Sequence, residues 1–209
     1  MINVKTLGTV LLLAFSISVA CADEVRRHTF DSDEIDRLDI DTNVGTLLIE
    51  HSDSGSIEVE VVIKAEDGRW SLSWFDDEPD LSKIDIESRI HAGELNLGLD
   101  ADDVSADWVI RIPDLDRISI ELAVGTVEIV DINSEFDIQV GVGTIDIETS
   151  RASTGRITAS AGVGDTRVRG ASDTESQRVL VSSDTSGSGD GDMDLSADVG
   201  VGDVRIALR

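Results

Sequence analysis

Three aspartates stand at alternate positions in Asp190-Gly191-Asp192-Met193-Asp194, the spacing with which a calcium loop begins. Oxygen ligands at every second residue of a tight loop can converge on one hard cation. The pattern then departs from such a loop. Leu195 stands where the sharp turn needs glycine, and Val201 where a bidentate glutamate would close the shell. A solvated loop with at most weak divalent-cation binding is the expectation for Asp190, Asp192 and Asp194. Other metal chemistry has less support: His28, His51 and His91 share no ligand spacing, and Cys21 is the only cysteine. The chain carries no nucleophile elbow, no paired-histidine zinc helix and no phosphate loop. Carboxylate pairs such as Asp146 and Glu148 are uninformative where acids are everywhere. The sequence therefore points to no catalytic residue and no cofactor.

Trp70-Ser71-Leu72-Ser73-Trp74-Phe75 is the one aromatic cluster. Exposed, it would stack on sugar rings or anchor a partner. Its period-two spacing equally suits a buried strand face or an end-cap, which is the preferred reading.

The elements that position these residues come from a repeat. Val44-Gly45-Thr46, Val124-Gly125-Thr126, Val142-Gly143-Thr144, Val163-Gly164-Asp165 and Val201-Gly202-Asp203 share one pattern. Apolar residues alternate on both sides of each glycine, as in Phe136, Ile138, Val140 and Val142, then Ile145 and Ile147. Period two marks strands with one buried face. From the valine to the next inward residue the step is three, which would flip a straight strand to its wrong face. Gly45, Gly125, Gly143, Gly164 and Gly202 are therefore expected to be corners, with both arms and the preceding valine facing one core.

Two all-β architectures fit. In an antiparallel hairpin meander, Gly-Thr and Gly-Asp would be two-residue turns. In a single-stranded β-solenoid, similar to a parallel β-helix, they would be corners of stacked coils. The glycines from Gly125 onward are separated by 18, 21 and 38 residues, so corners recur about every 18–21 residues with one copy skipped, which favours the solenoid. The skipped copy would fall near Ser182-Ser183, as a degenerate coil followed by a Ser/Gly loop. His91-Ala92-Gly93-Glu94 reads as a further corner. Stacking in sequence order would set Asp146 and Glu148 beside Arg167 and Arg169.

Residues 1–22 read as a secretory signal peptide: Lys5, an apolar core over Val10–Val19, and an Ala20-Cys21-Ala22 cleavage site. Residues 23–209 then form a single domain, periplasmic or secreted after cleavage near Ala22. Alternatively Cys21 is a lipid acceptor and the protein is an anchored lipoprotein. No other stretch is long and apolar enough to span a membrane. Asp and Glu number 43 against 17 Lys and Arg, a formal net charge of −26, which repels nucleic acid and anionic membrane. The field would attract divalent cations or a basic partner, or simply keep a long sheet protein soluble with guarded edges.

The run Ile112-Pro113, Leu115 to Ile120, Val124-Gly125-Thr126-Val127 and the glycine corners that follow resembles the bacterial putative-adhesin, or toast-rack-like, domain family of unknown function. The match covers most of residues 35–209 and is most regular over 108–209. It departs from the family in using Val-Gly where Ser-Gly or Gly-Ser is common, and in its acidity. The resemblance implies a β-solenoid fold and a non-enzymatic envelope or adhesin-like role, with an envelope protein or surface polysaccharide as partner. The alternative is a cation-responsive or stress-related accessory that binds another envelope component.

Overall fold

Wherever apolar and polar residues alternate, the chain is extended. The computed structural model describes residues 23–65 and 80–209. The Trp70–Phe75 cluster and residues 1–22, Cys21 among them, lie outside the described residues. Among the described residues twelve strands follow one another: β1 (Glu24–Asp31), β2 (Arg37–His51), β3 (Ser56–Ala65), β4 (Glu87–His91), β5 (Glu94–Leu99), β6 (Val104–Ile112), β7 (Arg117–Val130), β8 (Glu135–Thr149), β9 (Thr154–Arg169), β10 (Ser172–Val179), β11 (Ser182–Ser188) and β12 (Met193–Leu208). Short 3-10 turns occupy Ser32–Glu34 and Leu81–Lys83. The fold is all-β, as the periodicity predicts.

The five Val-Gly units lie inside strands β2, β7, β8, β9 and β12, and these strands stack in parallel. The register is set glycine on glycine: Gly45 beside Gly125, Gly125 beside Gly143, Gly143 beside Gly202, and Gly202 beside Gly164. This is not the hairpin meander, whose glycines would sit in turns between antiparallel strands. Each corner glycine has a φ between 143° and 153°, a region closed to residues with a Cβ. A Cβ on Gly143 would also overlap the carbonyl oxygen of Gly125, and the same holds down the column. The two arms of each strand feed one continuous apolar core. In β8 the inward residues are Phe136, Ile138 and Val140, then Ile145 and Ile147.

Several sequence expectations are corrected in detail. The valine before each corner glycine is outside, not inside: Val124, Val142, Val163 and Val201 are each close to half exposed. The turn takes four residues, Gly141 to Thr144 in β8, so the inward step runs from Val140 to Ile145 and leaves Val142 on the outer side. The order of stacking is not the order of sequence. The sheet runs β2-β7-β8-β12-β9-β11-β10, so the last strand is inserted between β8 and β9. Arg205 consequently lies between Asp146 and Arg167, and the acidic pair does not touch Arg167 and Arg169. No coil occurs at Ser182-Ser183. Those residues begin β11, which runs antiparallel to the first arm of β9 and pairs with β10 as a hairpin. His91 to Glu94 is likewise a hairpin turn, between β4 and β5, with Ala92 and Gly93 at positive φ.

The two ends of the stack are closed differently. At one end β5 pairs with the first arm of β2 and β6 with its second arm, followed by β3 and β1. At the other end β11 pairs only with Arg156 to Ala161 of β9. Among the described residues, no strand lies beyond the second arm of β9.

The glycine column predicts a sharp contrast between two substitutions. Gly143→Ala forces a methyl against backbone at a forbidden φ and should cost about 3 kcal/mol or more. Gly55→Ala meets nothing within 4 Å and should stay within about 0.5 kcal/mol of the parent. Urea melts of the two variants check this, and equal midpoints would refute the column as a steric constraint.

Candidate functional site

Parallel, in-register stacking turns every outward position into a row that crosses the sheet. On the first arms one row is Asp39, Ser119, Asp137, Ser196 and Thr158. The next is Asp41, Glu121, Gln139, Asp198 and Ser160. Carboxylates alternate with hydroxyls and an amide, so the rows present many acceptors and few cations.

Nearer the corner the side chains shrink to Asn43, Ala123, Gly141, Gly200 and Gly162. Close approach is one reason. A Cβ on Gly141 would crowd the carbonyl of Ala123, and one on Gly200 would crowd that of Gly141. These small residues leave a shallow groove of about 510 Å³ across the stack, bordered by Asp41, Glu121, Gln139 and Asp198. One residue further along each chain stands the row of Val44, Val124, Val142, Val201 and Val163. Four of these are among the exposed large apolar residues. The row is continued by the apolar tip of the β10–β11 hairpin, where the Val181 carbonyl accepts the Gly164 N–H at 3.0 Å. Val179, Leu180 and Val181 at that tip are all exposed. A line of aliphatic groups therefore runs beside a line of acceptors, both repeating at the strand spacing of about 4.8 Å.

The second arms carry a different surface. Leu48, Glu128, Asp146, Arg205 and Arg167 form one row, and Glu50, Val130, Glu148, Ala207 and Arg169 the next. Charge changes sign along them, from acidic on β7 and β8 to basic on β12 and β9. A hollow of about 330 Å³ lies over this boundary. Arg205 reaches Asp146 at 3.4 Å and Asp203 at 2.8 Å, and Arg209 engages Asp131 and Glu148. Arg167 and Arg169 are exposed and have no carboxylate partner among the described residues.

The residues singled out by the sequence are scattered. Asp190 is held by Arg151 at 3.0 Å and Asp194 by Arg156. Among the described residues no three His, Cys, Asp or Glu side chains converge as a metal site. His28 meets Asp85 at 3.1 Å, His51 meets Asp53 at 3.2 Å and Asp114 at 3.4 Å, and His91 ends β4. Asp146 and Glu148 serve as partners of Arg205 and Arg209. The groove and the outer valine row were missed by the sequence reading. Their signal was present in Gly141-Val142-Gly143, Gly162-Val163-Gly164 and Gly200-Val201-Gly202. A valine between two glycines has no neighbouring side chain to pack beside it along the strand.

No protein-family model matches the chain, and no curated protein does. Solved structures do resemble it. A "putative cell adhesion protein" from Clostridium sporogenes is 14% identical, with 90% of this chain and 100% of that one covered and a TM-score of 0.49. A "putative adhesin" from Parabacteroides merdae is 9% identical, covering 71% and 65%, with a TM-score of 0.36. A "putative adhesin" from Bacteroides fragilis is 9% identical, covering 89% and 98%, with a TM-score of 0.31.

The acceptor rows carry an electrostatic cost at Asp39. Burial raises its pKa, the Glu94 and Asp41 charges add to this, and a hydrogen bond with Ser119 opposes it. The folded protein therefore holds the Asp39 proton more tightly than the unfolded chain, so ionised Asp39 destabilises the fold at neutral pH. Asp39→Asn should raise the melting temperature at pH 7. The gain should shrink as pH falls through the raised native pKa and vanish below the ordinary aspartate value of 3.8. Calorimetry across that range tests it, and a loss of stability at pH 7 would contradict the assignment.

Proposed function

We propose that this chain is an exported, non-enzymatic, adhesin-like binding module of the cell envelope. Its ligand class is an extended surface polysaccharide lying across the strands along the corner groove. The leader-like residues 1–22 support export, with cleavage near Ala22 releasing the chain to the periplasm or exterior. One observation carries the binding reading: the groove crosses five parallel strands, and a valine stands beside it on every one of them. A ligand with its own repeat can use such a surface at every level, adding many weak contacts. Carboxylates and the Gln139 amide accept hydrogen bonds from hydroxyls, while valine methyls cover the apolar faces of sugar rings. The surface is preformed by the glycine column, so binding costs little ordering of the protein.

Co-sedimentation of the purified protein with isolated surface polysaccharide tests this. Val142→Asp combined with Val201→Asp should weaken binding by about tenfold, since both act at the groove edge. The melting temperature should hardly move, because both side chains already face solvent. Undiminished binding by the double variant would remove the groove from the reading. Polysaccharide cleavage that is abolished by one carboxylate substitution would remove the non-enzymatic part.

A further inference from the structure

Beyond Thr166, no strand among the described residues covers the second arm of β9. We propose that this edge, Arg167 to Arg169, is the docking site for an extended strand of a partner protein, one with carboxylates at alternate positions and aliphatic residues between them.

Four features lead to this reading. Gly164 and Thr166 turn their N–H groups toward the β11 side, where Val181 O and Ser183 Oγ accept them at 3.0 and 3.3 Å. By strand alternation Val168 turns its N–H and C=O the same way. Among the described residues no strand meets them, because the pairing of β9 with β11 ends at Ala161. The core is also thinner here. Val127, Ile145 and Val204 are fully buried at the level of Thr166, whereas Thr166 and Val168 are only half-buried. Next, Arg167 and Arg169 point outward from this edge without carboxylate partners, in a chain of net charge −26. Finally, the apolar tip Val179–Val181 stands at the start of the edge and would seat the incoming strand's first residues.

Charge complementarity selects the occupant. The protein itself shows how an arginine at this position is answered: Arg205 of β12 lies beside Asp146 of β8, within Thr144-Ile145-Asp146-Ile147-Glu148. A partner strand of the same pattern, laid against β9, sets one carboxylate beside Arg167 and the next beside Arg169. The aliphatic residue between them covers Val168. Main-chain bonds at Val168 give affinity, and the alternating charges give direction and register. This site meets the corner groove only at the Val179–Val181 tip and does not depend on polysaccharide binding.

The probe is a labelled synthetic peptide with the sequence of residues 141–150, followed by fluorescence anisotropy on the full chain. Saturable binding is expected. Arg167→Glu with Arg169→Glu should weaken it by about tenfold or more. A peptide with lysine at both acidic positions should bind that variant and not the parent. A peptide N-methylated on alternate backbone amides should lose binding to the parent protein, a readout that needs no protein variant. Absence of peptide binding at millimolar concentration would overturn the proposal. So would equal binding of the methylated peptide, which would reduce the contact to unspecific charge. Sedimentation that shows a dimer abolished by the Arg167→Glu and Arg169→Glu changes would assign the edge to a second copy and overturn the proposal too.

Discussion

Five glycines in contact, one per corner strand, set the geometry of everything else. Each turns a bare Cα toward the carbonyl of the strand beside it, at a φ that only glycine adopts comfortably. A shift of one residue would put a Cβ into that space and move the apolar residues of an arm to the wrong face. Sterics and hydrophobic burial thus select the same register. This agreement explains how a chain with few aromatics and a single cysteine can specify one long parallel stack. It also explains the outer surface. Once glycines align, every outward position aligns with its equivalents, and rows of side chains running across the sheet follow without further design.

Charge is distributed on that frame with some regularity. Acids dominate the first arms, where burial, helped by the Glu94 and Asp41 charges, pushes Asp39 toward its neutral form. On the second arms arginines from β12 meet acids from β8. Exposed pairs of this kind contribute little to stability. Their effect is on which strands become neighbours and on what the surface attracts.

Much of the fold was legible in the sequence. Period-two alternation around Val124-Gly125 or Val142-Gly143 identifies strands and their inner face, and the phase break identifies a corner. Period two places the corner valine inside, but the turn has no inner face at that point, and the valine lies outside. The Ser182-Ser183 segment was misread because spacing alone cannot distinguish a weak coil from a hairpin. The absence of a corner glycine was the better signal: without it β11 cannot bend, and it covers only the first arm of β9. The groove went unread for a related reason. It is formed by missing side chains on five separate strands, and it exists only when those strands lie side by side.

The sequence by itself determined the strands, their buried faces, the corner positions and the acidic exterior, because each depends on residues close together in the chain. The tertiary structure alone decided the order of the strands. All five corner strands offer the same glycine register, so local pattern does not rank their pairings. Burial does. Leu195, Val199, Val204, Ile206 and Leu208 give β12 two strongly apolar arms, and it takes a place covered on both sides. Beyond its corner β9 offers only Thr166 and Val168 to the core, and it takes the end, where an incomplete cover costs least. That long-range choice places Arg205 against Asp146 and leaves Arg167 and Arg169 facing outward at an open edge.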